Sequence, residues 1–346
     1  MGLTRRDMML GACAATLLPG HARATGGTGT TGGTGATGAT AGTGGTAGTG
    51  GTAGARGLEG PAFGGSWRMV TGQADPVHAA SLIVARAAGI DAALSPYDAA
   101  SALMRFNAAA PGETVEVPDI FAEIFVAAER MARASGGAFD PTTGPLTHRY
   151  GFGPITGGTG RMQDIILTGS RLRRSAPEVT LDLCGIAKGH ALDLMLADLA
   201  DAGARDVLLE LGGEVRAIGR HPSGRDWQVA IEDPLSPGLQ ARHIVAPGGR
   251  ALATSGHRAQ GLVGATGISH VMDPHSRRPA TGYAASVSVL ADTGMAADAW
   301  ATALLAMGPG GPDFARSRGL SALFIPGLSP DAASIMTGSF AEHVLA

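Results

Sequence analysis

The chain has 346 residues, with 26 Lys and Arg against 29 Asp and Glu and a formal net charge of −3. This length allows one large domain or two modest ones, with enough chain for a well-buried core. Only 16% of the residues are charged and they form no basic patch, which excludes a general nucleic-acid-binding protein.

The first 24 residues have the pattern of an export signal. Arg5 and Arg6 precede a short apolar run, and residues 22–24 have the small-x-small form of a cleavage site. The paired arginines favour the twin-arginine route, so we expect a periplasmic protein. A disordered tail and a lipoprotein site at Cys13 are the alternatives. Because Cys13 lies in the segment to be removed, no internal disulfide is expected.

The next segment, residues 25–55, contains only Thr, Gly and Ala. Such a composition cannot bury enough apolar area to offset the entropy lost on ordering. It is typical of a flexible linker. We therefore expect the folded domain to span residues 56–346.

The remaining chain alternates strands with amphipathic or apolar helices. We predict strands over 66–72, 206–213, 226–234, 251–256, 284–291 and 321–326, and helices over 76–95, 117–137, 189–203 and 295–308. Strands dominate the middle of the chain, so the predicted fold class is α+β. We expect mixed or antiparallel sheets with packed helices in one unit, and a division into two subdomains stays open.

The helix over 117–137 has the clearest boundaries. Asp119 is placed to cap its start, Arg130 and Arg133 complement the dipole at its end, and Gly136 follows as a stop.

The segment SGGAFDPTTGPL (135–146) follows this helix. Its Asp-Pro and Gly-Pro pairs predict a rigid turn, because proline fixes its own φ and restricts the residue before it. Phe139, expected to be exposed, and Asp140 would stack on and hydrogen-bond a flat ring. An ordinary turn is the alternative.

The segment LDLCGIAKGHALD (181–193) predicts a strand that ends at Cys184 and a helix that begins near Lys188. Free amide groups at that helix start, with Lys188 beside them, would bind an anion. The segment has neither the P-loop nor the dinucleotide-binding glycine pattern. A strand–helix junction with a solvent-facing lysine is the alternative. Further along, Gly212 and the next glycine would let a ligand approach the backbone closely.

The segment GISHVMDPHSRRP (267–279) carries His270 between apolar neighbours. A lone histidine of this kind is more often structural than catalytic.

The helix over 295–308 is apolar except at Asp298 and Thr302, which lie one turn apart on one face. A buried carboxylate is costly unless it finds a cation. Oxygen ligands suit Mg²⁺, which commonly shares itself between a protein carboxylate and substrate phosphates. One alternative is that Asp298 caps a helix that begins there, and another is that the Thr302 hydroxyl bonds back into its own helix.

Taken together, these segments resemble the ApbE family of FAD:protein FMN transferases. The resemblance covers most of the folded part and depends on an ordered set of motifs. They are FGGSW (63–67), LSPYDAASALMRFN (94–107), SGGAFDPTTGPL, YGFGP (150–154), LDLCGIAKGHALD, LELGGEVRAIG (209–219), ATSGH (253–257), SHVMDP (269–274) and ADAWATALLAMG (297–308).

The resemblance implies that the protein binds FAD and Mg²⁺. It implies transfer of the FMN half, as a phosphoester, to a Thr or Ser hydroxyl of an exported acceptor flavoprotein of an electron-transfer system, with AMP as the other product. Asp298 and Thr302 would ligate the metal, helped by the backbone oxygens of Ala187 and Ala301. His270 would be the catalytic base or acid. The positions matching those that hold FAD are Phe63, Tyr97, Ala138, Phe139, Asp140, Asp182, Cys184, Lys188, His190, His270, Val271 and Met272.

Some positions depart from the family pattern. Phe63 replaces the usual Met, Cys184 replaces Gly or Ser, and residues 275–279 replace a Thr-Gly turn. None of these changes touches the expected metal ligands. Two other activities stay open, namely hydrolysis of FAD to FMN and AMP, and flavin binding without catalysis.

Overall fold

A computed structural model describes residues 56–72, 75–158, 160–176, 178–236, 240–257, 268–280, 283–327 and 332–345. The expected signal peptide (1–24) and linker (25–55) lie outside these residues. The helices are α1 (Pro76–Leu94), α2 (Ala102–Ala108), α3 (Asp119–Ala134), α4 (Gly144–Arg149), α5 (Cys184–Asp201), α6 (Gly294–Ala306) and α7 (Gly311–Arg318).

The strands of the described residues form four sheets, and each strand pair is antiparallel. The strands are β1 (Arg56–Ala62), β2 (Gly65–Thr71), β3 (Thr114–Glu116), β4 (Ile165–Thr168), β5 (Arg171–Arg174), β6 (Val207–Leu211), β7 (Glu214–Ile218), β8 (Val229–Glu232), β9 (Ala241–Val245), β10 (Ala251–Gly256), β11 (Met272–Asp273), β12 (Arg278–Pro279), β13 (Ala284–Ala291), β14 (Ser321–Pro326), β15 (Ile335–Thr337) and β16 (Val344–Leu345). The largest sheet has the order β1-β2-β6-β7-β10-β13-β14-β15. Two three-stranded sheets, β16-β9-β8 and β3-β5-β4, and the hairpin β11-β12 complete the set. The predicted α+β class is confirmed.

The large sheet is buried on both faces. Successive residues of a strand point to opposite sides, and in β6 Leu209 joins a core with α1, α2, α3 and α5, whereas Leu208 joins a core with β8 and β9. In β14, Phe324 packs with α6 on one side and Leu323 with β8 on the other. This two-sided burial explains why these strands read as continuous apolar runs.

Helix α1 is the one helix of the described residues that is long and apolar enough to cross a membrane. It packs against α2, α5 and β1 and contributes Ile83 and Ile90 to the core. Its composition therefore fits a helix of the folded core.

Two predicted boundaries are wrong. Asp119 does not cap α3, since Pro118 occupies the cap position in an extended conformation and Asp119 lies in the first turn. The predicted strand before Cys184 is absent from the described residues, and α5 begins at Cys184 itself. The reason is that the Asn107 side chain takes the place of a neighbouring strand. Its Nδ2 donates to the Leu181 carbonyl at 2.8 Å, and its Oδ1 accepts from the Leu181 amide at 2.8 Å.

Candidate active site

A cleft opens beside the start of α5 and the ends of several strands of the large sheet. Its walls are the β1–β2 turn, segment 138–147, the start of α5, the β6–β7 turn, the end of β10, residues 270–274 and one face of α6. The cleft therefore draws on segments spread over most of the described chain.

Helices α5 and α6 cross at two glycines, which fixes one wall of this cleft. A Cβ atom on Gly189 would lie 2.1 Å from the Gly294 carbonyl oxygen, and a Cβ on Gly294 would lie 2.4 Å from that of Gly189. Real Cβ atoms do not approach so closely, so both positions need glycine for the two backbones to touch. The contact brings Asp298 of α6 to the α5 backbone, where its Oδ2 accepts the Gly189 amide at 3.0 Å.

The start of α6 is held from both sides. The Thr293 side chain caps it by accepting from the Ala296 amide at 3.1 Å. Asp193 of α5 accepts the amides of Gly294 and Met295 at 2.8 and 3.0 Å. Because α6 begins at Gly294, one turn before Asp298, the interpretation of Asp298 as a helix cap is wrong.

Asp298 and Thr302 both line the cleft, one turn apart. Asp298 is buried, and burial raises the pKa of its carboxyl, while Lys188 and the Gly189 amide lower it. The Thr302 hydroxyl lies 3.3 Å from the Ser255 hydroxyl of β10. The Thr302 hydroxyl thus has a hydrogen-bond partner on β10, outside its own helix.

These oxygens fit a hard cation such as Mg²⁺. A buried carboxylate with one oxygen engaged by an amide keeps the other for a ligand, and the Thr302 hydroxyl is a further oxygen donor of the kind Mg²⁺ takes. Among the described residues, no group of three or more His, Cys, Asp and Glu is arranged for a metal ion. The protein would therefore supply only part of a coordination shell, and the oxygens of a bound phosphate would have to complete it.

Lys188 enters the cleft from the first turns of α5. Its Nζ lies 2.5 Å from Oε1 of Glu214, the first residue of β7, and also donates to the Gly212 carbonyl at 3.3 Å. Burial lowers the pKa of the lysine, but attraction to Glu214 and Asp298 outweighs this effect, so the pKa lies above its ordinary value. The ammonium therefore stays charged at any physiological pH.

His270 lies in the cleft wall with its ring against Phe152, 6.0 Å between ring centroids. Burial lowers the pKa of its imidazole to about 4, and repulsion from His257 and Lys188 acts in the same direction. The ring is therefore neutral at pH 7 and has a free nitrogen lone pair. Its buried Nδ1 has no hydrogen-bond partner among the described residues.

The model of the ApbE family matches residues 63–324, which include every residue that lines the cleft except Ala62. The chain belongs to the ApbE family.

Curated relatives carry the name FAD:protein FMN transferase. The protein of Rhodobacter capsulatus is 40% identical over 223 residues, which are 60% of this chain and only 42% of that relative. The protein of Klebsiella pneumoniae is 31% identical over 274 residues, 73% of this chain and 78% of the relative.

Solved ApbE structures share the fold. The flavin transferase ApbE from Vibrio cholerae matches with a TM-score of 0.74 at 28% identity, over 84% of this chain and 99% of the other. The apo form of the Pseudomonas stutzeri flavinyl transferase ApbE matches with a TM-score of 0.74 at 29% identity, over 84% and 97%.

Most residues predicted for FAD and metal in this ApbE protein come together in the cleft. Those that line it are Phe63, Tyr97, Ala138, Phe139, Asp140, Asp182, Cys184, Lys188, His270, Val271, Met272, Asp298 and Thr302. The two predicted carboxylates of the loops also shape their own turns. Asp140 accepts from the Thr142 amide and hydroxyl, both at 2.8 Å, and Asp182 accepts from the Cys184 amide at 3.0 Å.

Three predicted residues lie elsewhere. The His190 side chain is buried and points away from the cleft, with its Nε2 3.8 Å from the carboxylate of Glu123 in α3. The reason is that Gly189 faces α6, whereas the next residue along α5 lies on the face that packs against α3. Ala187 and Ala301 are not among the residues that line the cleft, so their backbone oxygens stay predictions without support from its geometry.

Phe139 is not exposed as expected but 3% exposed, since its ring packs into the core with part of its surface on the cleft. Cys184 is exposed on the cleft, where partial desolvation by the cleft walls and the Asp182 carboxylate raise the pKa of its thiol well above the ordinary value. The thiol form therefore prevails, which argues against a reactive nucleophile.

Glu214 and Phe152 are site residues to which the sequence analysis assigned no role. Glu214 is buried, lines the cleft and pairs with Lys188. A signal was present, because an acid directly after the Gly-Gly turn of a largely apolar strand pair needs a partner if it is buried. Phe152 had no comparable signal, since its contact with His270 joins residues far apart in the chain.

Proposed function

We propose that this protein transfers FMN from FAD to a Thr or Ser hydroxyl of an exported acceptor protein, in an Mg²⁺-dependent reaction that releases AMP. The coarser statement is that the chain is an FAD:protein FMN transferase, given its family and its curated relatives. The observation that carries the finer proposal is that Asp298, Lys188 and His270 line one cleft.

FAD would enter this cleft as the substrate. Apolar side chains on the walls, among them Phe63, Phe139 and Met272, suit the flat flavin ring. The diphosphate suits the start of α5, where the positive end of the helix dipole and the Lys188 ammonium provide positive potential.

Asp298 and Thr302 would hold the magnesium ion. When bound, Mg²⁺ supplies charge neutralisation of the diphosphate and orients it for in-line displacement. The protein's own part is to keep Asp298 fixed through the Gly189 amide and to add the Lys188 charge on the same side of the cleft.

The acceptor hydroxyl would attack the phosphorus of the FMN half. The new P–O bond forms as the bond from this phosphorus to the bridging oxygen breaks, and AMP leaves with that oxygen. His270, neutral at pH 7, is our candidate to take the hydroxyl proton. The pKa of the His270 imidazole is low in the free protein and would rise beside an anionic diphosphate. A higher pKa would make the imidazole a stronger base.

Export is the second part of the proposal. The Arg5–Arg6 pair and the apolar run after it support passage by the twin-arginine route to the periplasm. The acceptor would then be a flavoprotein of a membrane or periplasmic electron-transfer system.

The test is to incubate the full chain with FAD, Mg²⁺ and a peptide that carries one threonine hydroxyl. We expect flavin fluorescence on the peptide, AMP in equal amount, and no transfer in EDTA. Free FMN with an unlabelled peptide would replace the proposal with hydrolysis, and unchanged FAD would indicate flavin binding without catalysis.

A further inference from the structure

The catalytic candidate His270 lacks the support that usually holds a catalytic imidazole. In most such sites a third group bonds the nitrogen that does not react, which fixes the ring and its tautomer. Here Nδ1 of His270 is buried without a hydrogen-bond partner among the described residues. The ring orientation must therefore depend on packing against Phe152 and on the backbone that carries it.

That backbone is held by a serine turn. The Ser269 Oγ accepts a hydrogen bond from the Val271 amide at 3.0 Å, so the turn closes around His270 as its central residue. Ser269 is only 4% exposed, which leaves little room for its side chain to take another rotamer.

The hydroxyl that closes this turn is itself held by His257, the residue after β10. The His257 Nδ1 lies 2.7 Å from the Ser269 Oγ. Burial lowers the pKa of His257, and a hydrogen bond from its ring to the backbone carbonyl of Ala284 in β13 opposes this effect.

A neutral imidazole has one donor nitrogen and one acceptor nitrogen, and this fixes the direction of these hydrogen bonds. With the donor used on the Ala284 carbonyl, Nδ1 of His257 accepts the Ser269 hydroxyl proton. The serine oxygen then keeps a lone pair for the Val271 amide. In this series of hydrogen bonds, from the Ala284 carbonyl of β13 to the turn around His270, every donor thus has an acceptor.

We propose that His257 and Ser269 are positioning residues for His270, with the large sheet as their anchor. The inference rests on the proposed function, because it assumes that His270 acts on the acceptor hydroxyl. Neither side chain touches the reacting atoms. Each acts by fixing where the imidazole points, and a displacement of about 1 Å at such a group can cost on the order of 100-fold in rate.

The test compares Ser269→Ala and Ser269→Thr in the peptide-transfer assay. For Ser269→Ala we expect kcat to fall by about 10-fold or more, while the KM for FAD and the affinity for FAD in a fluorescence titration change by less than about 3-fold. Ser269→Thr keeps the hydroxyl and should recover most of kcat. His257→Asn, whose amide oxygen can accept the serine proton, should stay closer to wild type than His257→Leu.

Ser286→Ala is the matched control. Ser286 is a buried serine of β13, near Ala284, whose hydroxyl has no hydrogen-bond partner among the described residues and which does not line the cleft. We expect its kcat and KM to equal those of wild type.

The outcomes separate the two proposals. Wild-type protein without transfer activity would overturn the proposed function and this inference with it. Active wild type with an equally active Ser269→Ala variant would overturn the positioning role alone, and so would an equal loss of kcat and FAD affinity. If Ser269→Ala does not fold, as judged by its thermal unfolding, the comparison of His257→Asn with His257→Leu decides, and equal kcat in those two variants would overturn the inference.

Discussion

The carboxylate of Asp298 accepts a hydrogen bond from the backbone amide of Gly189, with 3.0 Å between Oδ2 and N. This bond crosses from α6 to α5 at the point where Gly189 and Gly294 let the two backbones touch. The position of the expected metal ligand is therefore set by how closely two helices pack.

Replacing the Asp298 carboxylate by an amide tests its role as a metal ligand. Asp298→Asn keeps the shape and an acceptor for the Gly189 amide but removes the charge. We expect transfer to fall by about 100-fold or more at fixed Mg²⁺, because the charge that would hold the cation is lost. The measurement is initial rate against Mg²⁺ concentration, with Asp201→Asn at the exposed end of α5 as the control. Normal Mg²⁺ dependence in Asp298→Asn would show that this residue does not bind the metal.

Adding one methyl group at the helix crossing should destabilise the fold. In Gly189→Ala the new Cβ would meet the Gly294 carbonyl oxygen at 2.1 Å, so the helices must separate. We expect the free energy of unfolding to fall by about 1–3 kcal/mol. Gly89→Ala in α1 is the matched control, since a Cβ there has no atom within 4 Å. It should stabilise by about 0.4–1 kcal/mol, because alanine favours helix. Denaturant unfolding measures the free energy of unfolding of both variants. Equal changes in the two would contradict the close approach of the α5 and α6 backbones.

Acid should destabilise the protein through His270. The pKa of this imidazole is about 4 in the folded chain and 6.5 when unperturbed, because burial disfavours the charged form. Between these values the unfolded chain binds more protons, so the free energy of unfolding falls as the pH drops from 6.5 to 4. The loss attributable to His270 is up to about 3 kcal/mol.

The His270→Gln variant isolates this contribution. His190 and His257 have pKa values shifted in the same direction, and both remain in the variant. We therefore expect a shallower fall of stability below pH 6.5 in His270→Gln, measured by denaturant unfolding without flavin. Parallel pH profiles would mean that His270 is not buried in its neutral form.

Removing the partner of Lys188 should cost more than removing an exposed ion pair. Glu214→Ala leaves the Lys188 ammonium, whose side chain is 35% exposed, without its buried carboxylate partner. Because solvent screens a partly exposed charge, we expect a cost of about 1–3 kcal/mol, below that of a fully buried pair. Glu59→Ala breaks the exposed pair with Arg68, which is worth about 0–1 kcal/mol. Urea unfolding of the two variants gives the comparison. A small loss in Glu214→Ala would indicate that Lys188 finds another partner in the cleft.

Local sequence patterns predicted the secondary structure well because they report burial. Helix 295–308 and strand 284–291 match α6 and β13 within two residues, since an apolar run of given length leaves few other structures. The prediction of a strand before Cys184 was wrong for a reason that the local sequence pattern does not contain. The backbone partner of this segment is the side chain of Asn107, 74 residues away in the chain.

The residues of the site could be predicted where a motif resemblance covered them. The orientation and burial of a side chain were harder to predict, because tertiary packing determines both. Asp298, Lys188 and His270 do meet at one cleft. The orientation of His190 and the burial of Phe139 depend on which neighbours cover them, and no spacing rule contains that information. Glu214 was overlooked because its role exists only together with Lys188, which β7 and α5 bring together.

The lining of the cleft runs from Ala62 to Thr302, and β2, near the start of the fold, pairs with β6 across 135 intervening residues of other structure, from Gly72 to Asp206. A nascent polypeptide that has not yet delivered α6 consequently lacks the wall that carries Asp298 and Thr302. A chain truncated by a premature stop before residue 298 would therefore lack this wall of the cleft and both of its oxygen donors.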